Sequence, residues 1–187
     1  MTDVAAEPNP RRWLILAVVG TAFFMTILDV AIVNVAIPSI ETDLDITRQT
    51  VEWVIIAYSI TFGGFLLLGG RMADLLGRRR IFVAGLILFT LSSLACGLSH
   101  ALGSAAVLIG ARAVQGLGAA IISPAALSIV TTTFTEGAER NKALGIWGAL
   151  GASGATVGLV TGGLLTRYDN MAGAARERSR CSQQPRR

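Results

Sequence analysis

Apolar and polar positions along this chain come in long blocks rather than in single alternating steps. A polar opening, residues 1 to 12 with Pro8 and Pro10, ends in Arg11-Arg12. An apolar run then starts at Trp13 and reaches Leu28 before admitting Asp29, Asn34 and Pro38. About 20 apolar residues cross a hydrocarbon layer as a helix, so this run reads as one long span over 13–40. Glu41 to Glu52 is polar and reads as a loop. Four more apolar blocks follow, at 53–69, 81–99, 105–134 and 143–166. They are separated by Gly70 to Arg80, by a short turn near His100 to Ser104, and by Thr135 to Lys142. Residues 167–187 are basic and read as a disordered tail. The pattern predicts an all-α integral membrane fold with five transmembrane helices.

Composition supports that reading. Of the 187 residues, 52% are hydrophobic and 15% charged, where ordinary globular domains carry about 25% charged residues. Mean hydropathy is +0.61. The formal charge of +4 suggests an anionic partner until it is located. Residues 1–166 are neutral overall, and the whole excess lies in the last 21 residues, where six arginines face Asp169 and Glu177. A basic tail is weak ground for a nucleic-acid partner, and none is expected. Cys96 and Cys181 have neither metal nor disulfide spacing, and His100 sits at a helix end suited to solvent or the interface. The first apolar run is too long for a cleavable leader and reads as a retained span. Trp13 and Trp53 stand at span ends, where indoles favour the interface.

Loop charges give an orientation. Arg11, Arg12, Arg71, Arg78, Arg79, Arg80, Arg140 and Lys142 lie on one side, and only Arg48 lies on the other. Positive loops stay inside, which predicts a cytoplasmic amino terminus in a plasma-membrane protein. The stretch from Gly69 to Arg80 is the densest of these polar islands and is expected to be a mobile, solvated loop.

Asp29, Asn34 and Arg112 fall inside spans, where polar groups are costly and face protein or a watery cavity. Asp29 is the one carboxylate well inside a span, so it is a candidate to load and release a proton. Arg112, Gln115 and Gly116 share one face of the fourth span by their spacing. A purely structural pair of Asp29 with Arg112 fits the same residues, and spacing alone leaves both readings open. In the fifth span Gly151, Gly154, Gly158 and Gly162 form a stripe that permits close helix approach. Plain packing, a bending point, and association with another membrane helix all fit it. Gly116-Leu117-Gly118 is no nucleotide loop, because Ile121 holds the third glycine position and the site lies within a span. No nucleophile–base–acid set or ligand cluster points to an enzyme, a metal or a cofactor.

These motifs resemble the major facilitator transporters, and among them the drug:proton antiporters of the 14-helix type. Gly70, Asp74, Gly77, Arg78 and Arg79 are similar to the signature between helices two and three, with Leu75 where a basic residue is common. Leu28 to Pro38 resembles the first-helix signature, with Ala31 in place of Thr. Leu108 to Ala120 is similar to the proton-coupling signature around Arg112, Gln115 and Gly116. Gly145, Gly154, Gly158, Gly162 and Gly163 resemble the antiporter signature, with Leu159 where that signature has proline. The resemblance covers residues 11–166. It implies the amino-terminal six-helix bundle of a transporter that exports small amphipathic compounds by alternating access, driven by a proton gradient with no cofactor. Asp29 and Arg112 would couple the proton, Asn34 and Gln115 would lie near the cavity, and the Gly70–Arg79 motif would latch the cytoplasmic side.

Such transporters need two bundles, and this chain has five spans before its basic end. The expectation is a fragment that does not transport by itself. A single-base frameshift near Asn170 would account for the ending. Read one base later, the codons for residues 171–181 permit a sequence resembling the opening of the family's sixth helix. The rival expectation, from another class, is a small membrane protein that acts by associating with an intact transporter through its glycine stripe.

Overall fold

Small residues decide where the helices of this protein meet. The computed structural model describes residues 10–43, 46–134 and 136–182. It contains α1 (Arg12–Asp43), α2 (Arg48–Leu76), α3 (Arg78–Leu102), α4 (Ala105–Thr133) and α5 (Ala138–Ser182). Among the described residues all regular structure is helical, and each helix is long and apolar enough to cross a bilayer. The polar amino-terminal tail up to residue 9, the last residues 183–187, and the side chains of His100 and Cys181 lie outside the described residues.

α4 is the central helix. It packs along α2 and along α3, whereas α1 packs mainly along α5 and meets α4 more briefly. Half of the most apolar window of α4 is buried, against 17% for α2. Ala119, Ala120, Ala125 and Ala126 of α4 are fully buried. A Cβ on Gly116 would run into the Tyr58 carbonyl and the Thr61 hydroxyl of α2, and one on Gly118 would sit 2.9 Å from the Phe89 amide nitrogen of α3. Lipid tails give helices no hydrophobic reason to associate, so this close van der Waals approach is what binds them. The outer faces are apolar as well: Leu14, Ile60, Leu67, Leu75 and Leu91 are all more than 60% exposed. In water such a surface would aggregate; in a bilayer it is the solvated face.

The helices outrun their sequence-based limits. The 41–52 loop shrinks to a few residues, because α1 continues to Asp43 and Thr47 caps α2 by accepting from the Thr50 amide. The stretch from Gly70 to Leu76, expected as a mobile solvated loop, forms the last two turns of α2 instead. Arg71, Met72, Ala73, Leu75 and Leu76 are ordinary or good helix formers, and Ala73 is buried in the core. Only Gly77 breaks the path, at φ 98°, a region open to glycine. α3 begins at the next residue. α5 runs past Thr166 to Ser182; its sequence there is rich in Arg and Ala and lacks proline, so the helix continues.

Candidate functional site

Asp29 and Arg112 meet. Asp29 lies 17 residues into α1, roughly 25 Å along the helix at 1.5 Å per residue. There, Arg112 Nη1 donates to Asp29 Oδ2 at 2.5 Å. Gln115, one turn further along α4, donates from Nε2 to Asp29 Oδ1 at 2.9 Å and accepts from Arg112 Nη1 at 2.7 Å. Both carboxylate oxygens are thus held by α4. The side chain of Arg112 is 3% exposed and that of Asp29 19%. A buried guanidinium is expensive unless paired and hydrogen-bonded, and this one has both. Its Nε nevertheless remains buried with no hydrogen-bond partner among the described residues.

Two further side chains border the network. Tyr58 of α2 puts its ring face 4.4 Å from the Arg112 guanidinium carbon, a cation–π contact. The Cys96 thiol of α3 points to Gln115 Oε1 at 3.7 Å. Neither carries a sequence signal, since an isolated Tyr or Cys in an apolar run looks like packing. Asn34, by contrast, stays apart from the network. Its amide donates to the Val30 carbonyl of its own helix at 2.7 Å. It does line a cleft of about 420 Å³ between α1, α2, α4 and α5, along with Arg112, Tyr58, Ser59 and Ser123. Gln115 is buried behind that cleft, at 1% exposure.

The charged end of the bundle is a second, separate cluster. Gly70 packs toward Pro124 of α4, and Arg78 reaches Asp74 at 3.8 Å across the Gly77 turn, with both side chains well exposed. Arg79 is exposed at the start of α3. Residues counted only as loop charge turn out to tie the helix ends together. Arg12 of α1 pairs with Glu139 of α5 at 2.6 Å. Arg140 donates to the Thr131 and Phe134 carbonyls at 2.8 and 3.3 Å, closing the carboxyl end of α4. Trp13 meets Phe134 edge-on, and the Lys142 ammonium lies 5.3 Å from its ring centre.

The glycine stripe is consumed inside the molecule. Gly151, Gly154, Gly158 and Gly162 are buried against α1, where a Cβ would press on Phe23, Phe24, Leu28, Ala31 and Val35. Partners rise together along both helices, so α1 and α5 run parallel. This corrects the rival expectation: the stripe is covered by α1 and is not available to another transporter. Gly145 and Gly163 face open space instead, and the helix passes Leu159 without interruption.

A carboxylate held by an arginine and a glutamine at the crossing of two spanning helices, above a glycine-lined parallel pair, defines a comparison to make with known proteins. The model of the Major Facilitator Superfamily matches residues 19–171. The chain belongs to this superfamily. It is therefore a multi-pass membrane protein of a transporter family. It is 50% identical over 161 residues to the puromycin resistance protein pur8 of Streptomyces alboniger, which covers 86% of this chain and 31% of that protein. It is 42% identical over 153 residues to the cephamycin export protein CmcT of Amycolatopsis lactamdurans, covering 82% and 31%. It is 43% identical over 157 residues to the multidrug resistance protein Stp of Mycobacterium tuberculosis, covering 84% and 29%. The chain spans about a third of the length of these curated relatives.

Proposed function

We propose that this chain forms the proton-coupling part of an efflux transporter for small amphipathic compounds, with its amino terminus in the cytoplasm and a proton gradient as the driving force. The observation that carries the reading is the Asp29–Arg112–Gln115 network at the α1–α4 crossing. Both oxygens of Asp29 accept from α4, so adding a proton to Asp29 removes an acceptor and the charge that holds Arg112. The grip of α4 on α1 then loosens, and Arg112 becomes available to the adjoining cleft. A cationic compound entering the cleft favours the unprotonated carboxylate, because opposite charges attract strongly where water is scarce. Proton and compound thus compete through Asp29. The cleft fits this role: it is mostly apolar, with Arg112 and the side chains of Thr26, Asn34, Tyr58, Ser59 and Ser123 as its polar groups. The relatives' names support the substrate class, since they refer to puromycin resistance, cephamycin export and multidrug resistance. Transport across the membrane belongs to the longer protein of which such helices form part.

Proton release on binding tests the coupling directly. The chain is reconstituted in vesicles with a pH-indicating dye, and puromycin or ethidium is added. Wild type is expected to release a proton as the compound binds, and Asp29→Asn to bind without release. Release that persists in Asp29→Asn would remove Asp29 from the role. Binding to wild type without any proton change would remove the coupling itself.

A further inference from the structure

The turn between α2 and α3 holds more positive charge than its own acid neutralises. Asp74 faces Arg78, but Arg79 and Arg80 are exposed and, among the described residues, have neither a hydrogen-bond nor an ion-pair partner. They open α3, whose first amides are unpaired and whose dipole is positive at that end. With Val83, Ala84 and Ile87 they line a shallow groove of about 490 Å³. Residues 80, 83, 84 and 87 recur at helical spacing on one face. The same stripe continues through Leu91, Leu94 and Leu98, each more than half exposed. The groove floor belongs to the apolar span Arg78–Ser99, so an occupant must itself be at home in hydrocarbon. Its rim is purely cationic. A soluble anion would match the rim and leave the floor empty, and a zwitterionic lipid would bring a cation toward two arginines.

We propose that this groove binds an anionic phospholipid, with its phosphate between Arg79 and Arg80 and an acyl chain along Val83, Ala84 and Ile87. The inference does not depend on proton coupling, since the groove lies on the outer face of α3, away from Asp29. It is tested with the full chain in phosphatidylcholine vesicles containing a minor fraction of phosphatidylglycerol that carries a photoactivatable acyl chain. Labelling is expected on the α3 peptide holding Val83 to Ile87, about 30-fold above that from the matching phosphatidylcholine probe, in line with the attraction of two basic residues near an anionic leaflet. R79Q/R80Q should abolish the preference and R79K/R80K should restore it. R71Q, which removes one charge from the nearby end of α2 outside the groove, should leave it unchanged. Ala84→Trp should abolish labelling while keeping every charge. Equal labelling by both lipids, an equal loss in R71Q, or cross-links between two copies in place of lipid adducts would each overturn the proposal.

Discussion

Helix α1 meets two partners by different physics, within a single turn. On one side, Leu28 and Ala31 press against Gly158 of α5 along a seam of glycines with no polar group between the backbones. On the other side, Asp29 is gripped by α4 through two hydrogen bonds, the one from Arg112 being also an ion pair, with comparatively little other packing. The glycine-lined part of the α5 seam is held by steric fit, which has no charge state and hence no switch; the Arg12–Glu139 pair joins the same two helices at their charged end. The α4 crossing is held by the Asp29 carboxylate, and under the proposed coupling role it weakens when that group takes up a proton. A helix fastened firmly on one side and conditionally on the other is suited to pass a local protonation into relative movement of helices.

That contrast is open to attack from both sides, and the largest effect is expected at the crossing. Arg112→Leu leaves the half-buried Asp29 without its cation and should cost about 3 kcal/mol, the low end of the range for breaking a buried pair from one side. Unfolding in mixed micelles titrated with SDS reads this directly. Combining Arg112→Leu with Asp29→Asn should recover much of the loss. A double variant as unstable as the single would mean that shape, not charge, holds the crossing. The seam comes next. Gly158→Leu forces a side chain onto Ala31 and the Leu28 carbonyl, and overpacking of this kind costs about 1–3 kcal/mol. Gly163→Leu meets open space and should stay within about 0.5 kcal/mol of wild type, like other changes away from packed or paired sites. If the two glycine variants proved equally stable, the seam would not be steric. The smallest effect is expected at Asn34, which bonds its own helix only. Asn34→Ala should leave stability within about 0.5 kcal/mol, measured by the same SDS titration.

The charged end shows where sequence patterning misleads. Polarity at Gly70, Arg71 and Asp74 suggested a loop, yet polarity reports exposure, not backbone shape. Leu75 and Leu76 are exposed there as well, at 70% and 57%, and the backbone is helical throughout. Arg140 shows the complementary failure. As a sequence position it is one more positive charge, and only the fold reveals the Thr131 and Phe134 carbonyls beneath it.

By itself the sequence determined the number of spanning helices, their approximate extents, and which polar residues lie within them. Hydrocarbon obliges each segment to satisfy its backbone locally and to be apolar over its length, and both demands are met residue by residue along the chain. Helical spacing also placed Arg112 with Gln115 and aligned the α5 glycines, because both are properties of one helix. Only the tertiary structure decided that Asp29 faces Arg112, that the glycine stripe faces α1, and that Tyr58 and Cys96 complete the surroundings of the network. Periodicity fixes which residues share a face, but not which neighbour that face meets. That choice depends on how five apolar rods fit together through their small residues, and this is a property of all of them at once.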